Sequence, residues 1–151
     1  MTEWKPEASI RWLSSPPEGV PRLTVGSQSF AALPLSLEGD DMHPLATTPG
    51  ELFAGAIGAV FALLVAEELL AAGTQARELT THVTMFASGD TADRVDGKVR
   101  SVTCRLLGRV PNIDQAGLEV AARTAMLRCI EALGMTAGGI AFATEAVLEG
   151  A

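Results

Sequence analysis

The spacing of apolar side chains along the chain changes period several times, and each change marks an element. Residues 8–13 (ASIRWL), 20–25 (VPRLTV) and 28–33 (QSFAAL) read as short strands, separated by Pro, Gly and Ser at 14–19 and 26–27. Leu37 to Ala46 reads as a loop containing Gly39, Asp40, Asp41 and Pro44. The pattern then alters sharply. From Leu52 to Ala66 fifteen residues pass without a polar side chain. Thr48 is suited to the N-cap, Pro49 to the first helical position, and Glu51 completes a T-x-x-E capping box, so a helix is expected over 49–72, ended by Gly73. Such a helix is apolar on every side and calls for burial on every side, and its apolar run is shorter than the roughly 20 residues a bilayer requires. Ala54, Gly58, Ala62 and Ala66 recur every fourth residue and form a ridge of small side chains against which a helix or strand can pack closely. Residues 79–88 alternate as a strand with Leu79, Val83 and Met85 on one face. After a polar turn region at 89–97, a second strand over 98–110 makes a hairpin. Leu118, Ala121, Ala122, Ala125, Met126, Cys129 and Leu133 mark the apolar face of a helix over 114–133. Gly134 to Gly139 breaks it, and 140–148 is a final strand. The order implies an α+β fold with largely antiparallel sheets around a long buried central helix.

Composition narrows the function classes. One domain is expected over the 151 residues, and an apolar fraction of 48% argues against disorder. A net charge of −7 argues against nucleic acid or an anionic membrane as partner. Two cysteines, Cys104 and Cys129, do not make a secreted disulfide framework, and residues 1–15 carry Glu3, Lys5, Glu7 and Arg11 without an apolar core of a signal peptide. A cytoplasmic protein is expected. His43 near Asp40 and Asp41 has no standard metal spacing. Asp90, Asp93 and Asp96 lack the spacing and the closing Glu of a calcium loop. No metal or cofactor is expected.

Three stretches in order carry a resemblance to a known family. Thr47-Thr48-Pro49-Gly50-Glu51-Leu52-Phe53-Ala54 resembles the Thr-Asn-Pro-Glu-x-Leu start of that family's central helix. Val110-Pro111-Asn112-Ile113-Asp114 is similar to its Val-Pro-Gly-Ile-Asp turn. Ala125-Met126-Leu127-Arg128-Cys129 is similar to its Ala-x-x-x-Cys-Pro. The family is that of osmotically induced protein C and the organic hydroperoxide resistance proteins (OsmC/Ohr), and the likeness covers roughly residues 45–148. It implies an intertwined homodimer whose central helices are sandwiched by sheets from both subunits. It also implies thiol-dependent reduction of organic hydroperoxides, an oxidative-stress function akin to that of peroxiredoxins. The implied site has a nucleophilic Cys on the central helix, a resolving Cys on the second helix, and an Arg and a Glu that polarise the nucleophile.

The implied site is incomplete in this sequence. A peroxidatic cysteine attacks as thiolate, but Val60 stands at the nucleophile's position and Gly50 at the position of the Glu. Glu51 is one residue, or about 100° of helical turn, away, and its capping role accounts for it. Cys129 matches the resolving cysteine, with Ile130 in place of the following Pro. Cys129 also lies on the apolar stripe of its helix, and Cys104 shares a strand face with Val102 and Leu106, where each serves as a small core residue. A disulfide between them requires that strand to lie against the second helix. Arg22, then Arg11, is the candidate for the family's arginine.

The leading expectation is therefore a divergent OsmC-like protein without the two-cysteine peroxidase cycle. It would be a homodimer retaining an apolar pocket at the subunit interface for acyl-like or hydroperoxide-like molecules. The alternatives are a one-cysteine thiol peroxidase using Cys129, and a small acyl-binding or thioesterase-like protein that wraps a helix in a sheet.

Overall fold

The computed structural model of the chain describes residues 8–11, 22–25, 27, 33–35, 47–88, 98–135 and 139–150. Its contacts group into two units, 1–52 and 53–151. In the first, β1 (Ala8–Arg11), β2 (Arg22–Val25) and β3 (Leu33–Pro34) form an antiparallel sheet in that order. Only Leu33 of the strand expected over 28–33 is described; 28–32 lies outside the described residues, as do 12–13 and 20–21 of the other two. Thr47 donates its N–H to the carbonyl of Pro34 at 3.1 Å, so the chain is tied down just before the helix.

Helix α1 spans Pro49–Ala71. Its start is the expected capping box: Glu51 N–H donates to Thr48 Oγ1 at 3.1 Å, and Thr48 N–H donates to Glu51 Oε2 at 2.8 Å. Its end is a Schellman arrangement. Gly73 takes φ +80°, its N–H donates to Leu70 O, and Thr74 N–H donates to Leu69 O, both at 3.0 Å.

The second unit continues with β4 (Glu78–Ser88), β5 (Lys98–Arg109), α2 (Gln115–Ala132) and β6 (Ala141–Leu148). The β4–β5 hairpin is antiparallel with a bulge between Phe86 and Ala87. β6 joins β5 in parallel, from Ser101 opposite Ala141 to Gly108 opposite Leu148. The sheet is thus mixed. The chain crosses from β5 to β6 through α2, and such a crossover returns a strand in the same direction. Gln115 closes part of the outer side of β6: its amide nitrogen donates to Ala146 O at 2.7 Å and its amide oxygen accepts from Leu148 N–H at 2.8 Å.

Asp114 caps α2, its Oδ1 accepting from Gly117 N–H at 2.8 Å. Two residues earlier Asn112 takes φ 57°, the left-handed region that Gly and Asn tolerate. Thr74, a buried polar residue, donates its hydroxyl to Pro111 O at 2.5 Å and ties this turn to the end of α1.

One core fills the second unit. Ile57, Phe61, Val65 and Leu69 of α1 meet Val102, Cys104 and Leu106 of β5 and Leu118, Ala122, Ala125 and Cys129 of α2, all with no exposed surface. Each large side chain buried there contributes roughly 1.5–3 kcal/mol of transfer free energy. α1 is not covered on every side within its own chain. Leu63 keeps 68% and Leu70 59% of its surface exposed. The buried residues of α1 follow one narrow stripe, whereas its sequence is apolar all round.

Candidate functional site

The ridge of small residues on α1 is where the helix meets β4. A Cβ placed on Gly58 would come within 3.0 Å of Val83 Cγ2, so this contact requires a side chain no larger than glycine's unless Val83 yields. Around it Ala54, Gly55, Gly58, Ala59 and Ala62 of α1 and Leu79, Thr81 and Val83 of β4 line an open groove of about 280 Å³. The helix wall carries only Ala and Gly, and the strand wall carries Leu79, Thr81 and Val83. Its lining holds no titratable side chain. Thr81 is the polar exception, and its Oγ1 is buried without a hydrogen-bond partner among the described residues. The sequence pointed to half of this groove through the small-residue ridge. It did not point to β4 as the other wall, since alternation alone does not say which element a strand face meets.

The structure places the family-derived positions as follows. Val60 is partly buried and packs against the core cluster. Gly50 is the second residue of α1, and Glu51 is engaged in the capping box. Arg22 lies in β2 opposite Arg11 and Pro34, in the first unit. Cys129 is fully buried on α2, and its Sγ approaches the carbonyl oxygen of Ile57 at 3.9 Å, the reach of a weak thiol donor. Burial pushes its pKa up. Arg128 does not turn toward this thiol. Its guanidinium donates to Glu68 Oε1 and Glu67 Oε2, both at 2.7 Å, pinning α2 to the end of α1. The sequence reading missed this clamp, because partners 60 and 61 positions apart leave no local signal.

Cys104 lies opposite Val83 on β4 and Thr144 on β6, fully buried. Its pKa is pushed up to about 11, first by burial and then by the charge of Cys129. Both are free thiols. A raised pKa is the reverse of what an attacking thiolate needs.

Among the described residues no group of three or more His, Cys, Asp and Glu is placed to hold a metal. His43 with Asp40 and Asp41, and the aspartates at 90, 93 and 96, lie outside the described residues. His82 is exposed on β4.

Comparison with solved structures identifies the fold. An OsmC-like protein from Mycoplasma pneumoniae superposes with a TM-score of 0.77 at 11% identity, covering 99% of this chain and 100% of that one. An OsmC-like protein of unknown function from Vibrio cholerae gives 0.75 at 13%, covering 96% and 100%. The organic hydroperoxide resistance protein OhrB of Bacillus subtilis gives 0.72 at 14%, covering 95% and 98%. The chain has the OsmC-like α+β fold. No protein-family model matches its sequence, and no curated protein does.

Proposed function

We propose that this chain is a divergent protein of the OsmC/Ohr type that binds an apolar small molecule and does not run a two-cysteine peroxidase cycle. The observation that carries this reading is the α1–β4 groove, which has no titratable group in its lining. Grooves of this kind bind through apolar contact, with a small number of polar groups setting orientation. An acyl chain or an organic hydroperoxide has the matching chemistry.

The protein works as a homodimer in this reading. Leu63 and Leu70 are left open on a helix that is apolar on all sides, and a second copy would cover them. The C-terminal end of α1 is held to α2 through Glu67, Glu68 and Arg128, which favours a protein partner over a lipid one for this helix. Two free thiols accord with a reducing, cytoplasmic setting. The one-cysteine alternative through Cys129 gains no support from a thiol that is buried and pushed up in pKa.

The test has two arms. In a coupled assay with a dithiol reductant and an organic hydroperoxide, turnover stays at the uncatalysed level, and Val60→Cys does not raise it. A fluorescent fatty-acyl probe binds saturably and is displaced by unlabelled chains. Robust peroxidase turnover, or no saturable binding, overturns the proposal.

A further inference from the structure

The uncovered side of α1 has a spacing of its own. Leu52, Ala56, Ala59, Leu63, Ala66 and Leu70 follow one another alternately four and three residues apart. Ala56, Ala59, Leu63 and Leu70 are exposed, and the other two are half-buried. At about 100° per residue the six fall in one band, roughly opposite the core stripe of Ile57, Phe61, Val65 and Leu69. A four-and-three repeat is the seam along which one helix packs lengthwise on another, and small side chains in it let the two axes approach.

We propose that this seam takes the α1 helix of a second copy, laid antiparallel, with Ala59 of each chain against Leu63 of the partner subunit. It rests on the homodimer reading above and fixes the face, the direction and the register. Turned end for end, the seam matches itself: Leu52 meets Leu70, Ala56 meets Ala66, and Ala59 meets Leu63. A slip of one repeat in either direction leaves two of the six positions without a counterpart. Charge sets the direction. The ionisable residues of α1 are Glu51, Glu67 and Glu68, all acidic. Parallel helices would bring both Glu67–Glu68 pairs to one level, at the negative ends of two aligned dipoles. Antiparallel packing separates the two Glu67 residues by about 18 Å along the axis and turns each toward the N-terminal half of the partner helix. A lipid surface is the rival occupant. Glu67 opposes it: exposed beside the seam and held by Arg128 at 2.7 Å, it keeps a carboxylate where acyl chains would lie. The partner helix also adds to the groove. Ala59 is part of the groove lining, so Leu63 of the partner subunit, seated on Ala59, gives it an apolar wall that one chain lacks.

Chains carrying Ala56→Cys and chains carrying Ala66→Cys are oxidised with copper–phenanthroline, each alone and after mixing with subunit exchange. Non-reducing gels and peptide mapping read the links, and sedimentation reads the assembly beforehand. The native thiols, Cys104 and Cys129, are fully buried and stay out of the reaction. The expected result is a covalent dimer in the mixture, with positions 56 and 66 in one linked peptide. Neither variant links alone, because like positions lie about 15 Å apart along the axis, beyond the reach of a disulfide. Self-linking of either variant alone means parallel packing and overturns the proposal. A dimer that links in no combination overturns the seam and leaves the homodimer reading standing. A chain that is monomeric at every concentration overturns both, and its capture by phosphatidylcholine vesicles gives the face to lipid. Within the linked dimer, Leu63→Ala weakens binding of the acyl probe several-fold. Unchanged affinity there removes the partner's share in the groove and leaves the helix pairing.

Discussion

Replacing Leu63 by lysine puts a charge in the middle of the uncovered side of α1. Leu63 retains 68% of its surface in the isolated chain, so about two-thirds of its transfer free energy is still to be gained. Full burial of a leucine is worth roughly 1.5–3 kcal/mol, which leaves about 1–2 kcal/mol for a partner to realise. A two-fold interface uses each residue twice, giving about 2–4 kcal/mol per dimer. That corresponds to a dissociation constant roughly 30- to 1000-fold weaker, before any desolvation of the lysine. Sedimentation equilibrium over a range of protein concentrations measures it. Leu127→Lys is the control: this leucine is 66% exposed on α2, and its helical neighbours Arg123 and Glu131 are exposed as well. The expected outcome is a dimer for the unaltered chain and for Leu127→Lys, and dissociation for Leu63→Lys. A unaltered chain that remains monomeric at about 100 μM, where even a weak interface of micromolar affinity would be populated, refutes the argument. So does a Leu63→Lys dimer of undiminished affinity.

Gly117→Ala should destabilise α2 although alanine is the better helix former. The added Cβ would meet Ile113 Cγ1 at 2.6 Å, and such crowding costs about 1–3 kcal/mol against a propensity gain of roughly 1; urea denaturation reads the balance, and a more stable variant would contradict it. Stability should also fall in alkali. Cys104 is held protonated to about 11 in the fold, against an ordinary value of 9.0, so its contribution is complete below pH 9 and lost as the pH climbs to 11. Chemical denaturation across that window should show a decline that Cys104→Ser lessens, and equal slopes for the two proteins would count against it.

Local signals in the sequence were read well where local chemistry decides. The T-x-x-E box starts α1 and Gly73 ends it, at residues whose hydrogen bonds are those the motif requires. The strand alternation of Leu79, Val83 and Met85 and the stripe through Cys129 both turned inward to the core. Three features were less legible. The parallel β5–β6 pairing depends on the path of a crossover, which no strand's own pattern records. Composition implied that α1 is covered all round, and within one chain it is not, since apolarity states what a residue gains by burial and not which molecule buries it. The candidate site follows the same division. The small-residue ridge that lines the groove was readable from its four-residue spacing, while the approach of Cys129 to Ile57 joins positions 72 residues apart.

The Gln115 amide on β6 has a consequence for how this sheet meets other chains. With one acceptor and one donor it occupies the outward N–H of Leu148 and the outward carbonyl of Ala146, the pair that an incoming strand would use. A sheet margin left with vacant backbone groups is a template for unwanted assembly. Here a single helix side chain acts as a decoy strand, one residue long. Any chain that tries to extend the sheet in register along β6 is turned away at its C-terminal end, so growth by strand addition is steered toward β4, the opposite margin.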